Sequence, residues 1–265
     1  MSHPLPTYEV YAIRYATHDR RRSDNFIWRD AHDGPMPIDY FVWLIRGHGR
    51  TLLVDTGFKA ETAARRQRKL LRCPVTALER LDVRATDVDS VIITHLHYDH
   101  AGNLSLLPHA KLHIQESEMH YATGRHMCRD AFRHAFELDD VCQAVRGVYE
   151  KRMVFHDGDD EVAAGIHVIH VGGHTLGLQG VRVHTRRGWL MLASDGSHFY
   201  ENAQKQSPFP IVHDVGQMMD GYDKLMKLAE SPSHFVPGHD PLVLQRHPVL
   251  HPDEPGIVRL HDDPL

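Results

Sequence analysis

The sequence predicts an α/β fold, a four-layer αββα sandwich. Two observations carry that prediction: short apolar runs bounded by turn residues, and an order of strands first and helix later that occurs twice along the chain. A sheet that is apolar on one face must bury it, and such an order favours two sheets packed face to face with helices outside.

Period-2 or short apolar runs predict strands over residues 8–15, 40–45 and 51–55, the last two joined as a hairpin through Gly47-His48-Gly49-Arg50. A helix is expected over 60–71. Its basic residues Arg65, Arg66, Arg68, Lys69 and Arg72 spread round several faces, as on a solvated helix. Val91-Ile92-Ile93-Thr94 has no polar alternation and reads as a strand buried on both faces. Further on, strands are expected over 111–115 and 153–156, helices over 116–123 and 130–150, and a turn at Gly158-Asp159-Asp160. The second half repeats the arrangement with strands over 166–171, 180–184 and 189–193 and a helix over 215–229. No linker, low-complexity tract or short-period repeat interrupts it, so residues 1–265 are read as a single domain.

Lys and Arg number 30 against 35 Asp and Glu, and the formal net charge of −5 implies no acidic partner at pH 7. Disorder, coiled coil and collagen are excluded by composition. Cys73, Cys128 and Cys142 are an odd, widely spaced set with no CxxC, which fits reduced thiols better than a disulfide framework. The first residues lack a basic region followed by an apolar one, and no run approaches 18 apolar residues. These features read as a cytoplasmic protein with no membrane partner. The unusual number is 24 histidines, no two adjacent.

Three imidazoles and a carboxylate crowd into His95-Leu96-His97-Tyr98-Asp99-His100 at the end of the buried run. These are ligands that zinc and its neighbours accept, with no thiolate needed. From the chain's own residue frequencies, roughly 0.02 matches to HxHxDH are expected by chance. The motif therefore stands out even from a His-rich background. A short loop can aim His95 and His97 to one side and Asp99 and His100 to the other, and neither pair completes a site. Candidate further ligands each end a strand and enter a Gly-containing loop: His174 in Gly172-Gly173-His174-Thr175, Asp195 in Ser194-Asp195-Gly196, and His239 in Pro237-Gly238-His239-Asp240.

HxHxDH followed by a GH, a strand-ending Asp and a late GH resembles the ligand order of the metallo-β-lactamase superfamily, from Asp55-Thr56-Gly57 to His239. That resemblance implies the αββα sandwich. It also implies two divalent ions, zinc first with iron, manganese or cobalt as alternatives. His95, His97 and His174 would hold one ion, Asp99, His100 and His239 the other, and Asp195 would bridge them. Within the superfamily, Asp195 in the bridging place argues against the true zinc β-lactamases, and His97 in place of a glutamate argues against the flavin-linked di-iron proteins. The complete ligand set argues against the mononuclear-iron sulfur dioxygenases.

The chain is most similar to the N-acyl homoserine lactonase group, in Gly173-His174-Thr175-Leu176-Gly177-Leu178-Gln179 and Pro237-Gly238-His239-Asp240-Pro241. Members commonly carry a Tyr three residues after the bridging Asp, and here that residue is His198. The resemblance thus implies a dinuclear hydrolase opening an N-acyl homoserine lactone or another small lactone, with another cyclic amide, ester or thioester as alternative. Asp99 is expected to carry the proton to the leaving oxygen, and His198 to stabilise developing charge; Tyr200 substitutes only if the loop shifts. Residues 17–37, with Phe26, Ile27 and Trp28, are a candidate lid contacting substrate, and 121–136 a second wall. A phosphodiesterase or nuclease uses the same two-metal clamp, but no aromatic-interleaved basic stripe supports a nucleic-acid partner. A non-catalytic metal buffer is the remaining rival. The sequence leaves the oligomeric state open, with a homodimer as one option.

Overall fold

A computed structural model describes residues 4–28 and 32–265. Thirteen strands among the described residues are β1 Glu9–His18, β2 Ile38–Gly47, β3 Arg50–Val54, β4 Lys69–Leu70, β5 Ser90–Ile92, β6 Lys111–Gln115, β7 Met153–His156, β8 Asp160–Ala163, β9 Ile166–His170, β10 Gln179–Thr185, β11 Gly188–Ser194, β12 Phe235–Pro237 and β13 Ile257–Arg259. They form two sheets. One runs β13-β1-β2-β3-β5-β6-β7 with β4 added on β1, and the other runs β12-β11-β10-β9-β8. The β2–β3 hairpin turns at His48 and Gly49, both with positive φ, the requirement of a two-residue turn that follows the strand twist.

Strand alternation builds the layers. Tyr11, Ile13 and Tyr15 of β1 and Tyr40, Val42 and Leu44 of β2 face one core with Ala63, Val141 and Ala144 of the helices Ala60–Arg65 and Leu138–Tyr149. Their neighbours Val10, Ala12, Phe41, Trp43 and Ile45 point the other way. There they join Ile166, Val168, Val181, Val183, Leu190 and Leu192 of the second sheet in a separate core. Met218, Tyr222 and Leu225 attach helix Val215–Leu228 to that second core. Every large side chain so buried contributes about 1.5–3 kcal/mol before its ordering entropy is counted. The expected αββα sandwich is what forms.

Two expected helices are shorter than their patterns. The helix expected over 60–71 stops at Arg65, because Gln67 turns left-handed (φ 56°) and Lys69–Leu70 pair with Thr17 and Ala16 as β4. The one expected over 130–150 splits into Asp130–Arg133 and Leu138–Tyr149. Between them Phe136 bridges to His97, and Arg66 donates to the carbonyl oxygens of His134 and Phe136 (2.8 and 3.3 Å). Long-range backbone pairing overrides local helical preference at both places. The three thiols are free, as expected. No helix among the described residues is long and apolar enough to cross a membrane.

Candidate metal centre

Four loops bring the site together. His95 follows β5, and His97 precedes the short helix Tyr98–Ala101, which carries Asp99 and His100. His174 sits in the loop after β9, Asp195 follows β11, and His239 follows β12. The site thus draws on the strand ends of both sheets. Gly238 permits the approach of the last two loops, since a Cβ there would lie 2.7 Å from the Ser194 carbonyl oxygen. All seven side chains are at most 8% exposed.

Their ligand atoms form overlapping groups suited to a metal ion: His95, His97 and His174; His95, His100 and Asp195; Asp99, His100 and His239; and Asp195, His198 and His239. Asp195 stands between two sets. Its Oδ2 lies 3.3 Å from His174 Nε2 and 3.9 Å from His95 Nε2, while Oδ1 lies 3.0 Å from His239 Nε2 and 3.3 Å from His100 Nε2. Asp99 Oδ2 is 3.8 Å from His100 Nε2 and 3.9 Å from His239 Nε2.

Proton accounting tests whether these donors fit cations. His174 Nδ1 donates to the Ile211 carbonyl (2.6 Å) and His239 Nδ1 to the Asp39 carbonyl (2.8 Å), so each ring is left with its Nε2 to turn inward. His100 Nδ1 donates to Asp55 Oδ2 (2.7 Å). Thr94 donates its one hydroxyl proton to the same oxygen (2.8 Å), so Thr94 Oγ1 can only accept from His95 Nδ1, 3.2 Å away. His95 Nε2 is therefore bare as well, yet it lies 3.1 Å from His174 Nε2. Two facing lone pairs at that distance repel unless a cation sits between them. Likewise His100 Nε2 and Asp195 Oδ1 are buried without a hydrogen-bond partner. The residues present fit divalent cations.

The electrostatics agree. Burial holds His95 and His97 well below the usual imidazole pKa, with neighbouring imidazoles adding to the depression. At His100, burial is outweighed by Asp195, Asp55 and Asp99, which raise it well above that value. At Asp195, burial is outweighed by His239, His100 and His198, which hold the carboxyl well below its normal range. Protons on His100 and His239 answer the same negative charge that a cation would.

A further set of residues orients the ligands. Asp55, left-handed at φ 61° and fully buried, accepts from Thr94 N (2.8 Å), the Thr94 hydroxyl and His100. Glu118, also fully buried, accepts from Leu96 N (2.9 Å), the Thr175 hydroxyl (2.6 Å) and Gly177 N (3.1 Å), tying the His95 loop to the His174 loop. Tyr15 donates to the Asp99 carbonyl (2.8 Å). The Asp-Thr-Gly turn after a strand is a signal that could have found Asp55. Nothing local marks Glu118, whose helix Glu116–Thr123 reads as polar.

The centre opens into a cavity of about 480 Å³ lined by His97, Asp99, His174, Asp195, His198 and His239 on one side. Residues 17–37 do wall it, but through His18, Asp19, Arg20, Ser23 and Asp24 rather than the expected apolar residues. Phe26 is buried against Phe199, and Ile27 and Trp28 are 37% and 57% exposed; none of the three lines the cavity. The chain turns Phe26 inward where Ile27 N donates to the Pro208 carbonyl (2.7 Å). Residues 29–31 of that segment lie outside the described residues. Of the second wall, 121–136, His134 and Ala135 reach the cavity.

His198 is buried, its ring stacked on Phe209 at 3.3 Å between centroids, and its Nε2 lies 3.0 Å from Asp195 Oδ2. Burial holds it well below the usual imidazole pKa, and the single N–H of the neutral ring is directed at Asp195. Tyr200 does not reach the centre. It opens the helix Tyr200–Gln204 and lies under the Arg246 guanidinium, 4.0 Å from its ring, lining a different cavity with Met226 and Phe235.

Comparisons with known proteins agree with this geometry. An N-acyl homoserine lactonase from a Bacillus species is 29% identical over 136 residues, 51% of this chain and 49% of the relative. A probable metallo-hydrolase of Mycobacterium tuberculosis is 25% identical over 246 residues, 77% of this chain and 72% of the relative. The chain spans about half the length of the first curated relatives it matches. A solved quorum-quenching N-acyl homoserine lactone lactonase superposes with a TM-score of 0.74 at 20% identity, over 91% of this chain and 95% of that one. A solved N-acyl homoserine lactone hydrolase with N-hexanoyl-L-homoserine at its catalytic metal centre gives 0.75 at 19%, over 91% and 96%. The family model of the metallo-beta-lactamase superfamily matches residues 37–239, and to that superfamily the chain belongs.

Proposed function

We propose that this protein is a metal-dependent hydrolase that opens the ring of a small lactone at a dinuclear centre. The observation that carries the reading is the division of the Asp195 carboxylate, one oxygen toward His95 and His174 and the other toward His100 and His239. His95, His97 and His174 would hold one divalent ion, zinc first, and Asp99, His100 and His239 the other, with Asp195 shared. Such ions supply Lewis acidity at the carbonyl and an activated water near neutral pH.

The chain's own residues do the rest. Asp99, in the cavity lining, would take the proton of the attacking water and deliver it to the leaving oxygen. His198, with its N–H on Asp195, is a positioning residue for the shared carboxylate. Donation from His198 to the substrate carbonyl would require the ring to release Asp195. His100 is oriented by Asp55 and Thr94, and His174 and His239 by backbone carbonyls, so the ligands are held before a cation arrives. The relatives named as N-acyl homoserine lactonases support a lactone over other cyclic substrates.

Metal analysis of purified protein together with a lactone panel tests this. About two tightly held ions per chain and hydrolysis of at least one lactone, lost on chelation, are expected. Cleavage of phosphodiesters alone would refute the lactonase, and many weakly held ions would favour the buffer.

A further inference from the structure

We infer that the cavity contains an anion subsite formed by Arg20 and Arg68, so that the lactone taken by the proposed site bears a carboxylate remote from its ring carbonyl. The inference rests on the lactonase reading for the word lactone, and on Arg20 and Arg68 alone for the charge.

Three guanidiniums, Arg20, Arg66 and Arg68, line the same cavity as the metal ligands. Arg66 is already paired, since its Nε donates to Glu137 Oε1 at 2.7 Å, on a carboxylate it shares with Arg65, and its plane covers the Tyr98 ring at 4.1 Å. Among the described residues, no carboxylate is hydrogen-bonded to Arg68. Its Nε donates to the Tyr98 hydroxyl (3.1 Å), and its Nη1 to the Arg66 carbonyl (2.6 Å) and to His18 Nε2 (3.1 Å). Arg20 also lacks one: its Nη2 donates to the backbone carbonyl of Asp24 (2.6 Å), while the Asp24 carboxylate accepts from Arg21 N (2.9 Å). Among the described residues, the Nη2 of Arg68 and the Nε and Nη1 of Arg20 meet no protein acceptor, and none of the three is sealed from solvent on these cavity-lining side chains.

Half-buried cations normally find a counter-charge, and no carboxylate of the described residues is hydrogen-bonded to either of these: burial, then Arg68, lower the pKa of Arg20 against Tyr40 and Asp24, while Tyr40, Tyr98 and Asp99 outweigh burial at Arg68. His18 cannot supply it. Burial, then Arg68 and Arg20, push its pKa down to about 4, leaving a neutral ring that accepts from Arg68. Asp19 also lines the wall but is exposed and pairs with neither arginine. In a chain of net charge −5, these two guanidiniums, on a wall that also carries Asp19 and Asp24, are the groups that would draw an anion in. Arg68, fixed by three hydrogen bonds through Nε and Nη1, presents the two N–H groups of Nη2 without further ordering, and a charged N–H donor suits a carboxylate oxygen. Ring carbonyl toward the metal ligands and carboxylate toward the arginines fits a small bifunctional substrate.

The test pairs 5-oxotetrahydrofuran-2-carboxylate with its methyl ester on metal-loaded full-length protein. The acid is expected to exceed the ester in kcat/KM at least tenfold. Arg20→Gln and Arg68→Gln should each lower that ratio by about 10- to 100-fold, the worth of a charged hydrogen-bonded pair, with Arg20→Lys and Arg68→Lys restoring part of it. An ester used as well as the acid, or a ratio unmoved in both Gln variants with melting temperature and metal content unchanged, overturns the subsite. If neither compound is hydrolysed, the lactonase reading fails and calorimetry decides the subsite separately. Binding of the acid but not the ester, lost in the Gln variants, upholds it, and no binding of the acid overturns it. Inorganic phosphate bound more tightly through the same arginines would overturn the carboxylate class.

Discussion

Replacing Glu118 with glutamine should weaken the metal centre from outside it. The Glu118 carboxylate receives two backbone N–H groups, Leu96 and Gly177, and the Thr175 hydroxyl, with the Leu96 donor on one oxygen and the other two on the second. Burial pushes its pKa up against the pull of those donors. A glutamine of the same shape has one acceptor and one amide nitrogen. Whichever way it is turned, at least one buried N–H then faces an NH2 group. An unpaired buried donor costs about 1–3 kcal/mol, which in a chain of this size lowers Tm by about 2–12 °C. The staple between the loops of His95 and His174 loosens as well, and loss of an outer hydrogen-bond partner typically weakens metal affinity about 10- to 100-fold. Thermal melts with and without chelator, and competition with a chromophoric chelator, read the two effects separately. Wild-type melting and wild-type metal affinity in Glu118→Gln would refute the reasoning.

Three further outcomes are expected. Asp195→Ala should lose bound metal and activity together, whereas His198→Ala should retain the ions and lower kcat; metal analysis beside kinetics checks both, and normal turnover in His198→Ala would remove its positioning role. Gly177→Ala would place a Cβ 2.2 Å from Glu118 N, so it should cost about 1–3 kcal/mol by overpacking and show in urea unfolding. His113, 8% exposed and hydrogen-bonded to His156, is pushed down to about 4 by burial and then by His156. Its unfolded pKa is near 6.5, so its contribution is complete above pH 6.5 and is lost as pH falls toward 4. His113→Gln should therefore reduce the acid loss of stability across that window by up to about 3 kcal/mol, and an unchanged slope between pH 6.5 and 4 would contradict this.

His113 also bears on the histidine excess. Five histidines belong to the proposed ligand set and His198 adjoins it, while half-buried His18 and buried His113 and His247 are each held near a pKa of 4 as neutral groups. Several of the remaining imidazoles are structural hydrogen-bond partners, such as His184 to the Pro6 carbonyl and His234 to the Arg187 carbonyl.

Most strands and the ligand candidates were legible in the chain because both are local. Period-2 burial in β1 and β2 is written in alternate residues, and HxHxDH spans six positions. The helix ends near Arg65 and Arg133 were not legible, because β4 and the His97–Phe136 bridge that end them pair residues far apart. The lid was half legible: residues 17–37 reach the cavity, but the wrong side chains were favoured, since a loop has no period to say which residues turn inward.

By itself, then, the sequence determined the sandwich and the identity of the metal-ligating candidates, through burial periodicity and ligand chemistry. Only the tertiary structure decided that Asp195 divides its oxygens between two imidazole sets, that Asp55 and Glu118 hold those sets in place, and that Arg20 and Arg68 line the cavity with no carboxylate of the described residues hydrogen-bonded to either. The physical reason is distance along the chain. Protons, charges and lone pairs from residues many tens of positions apart acquire partners only when strand ends of two sheets meet.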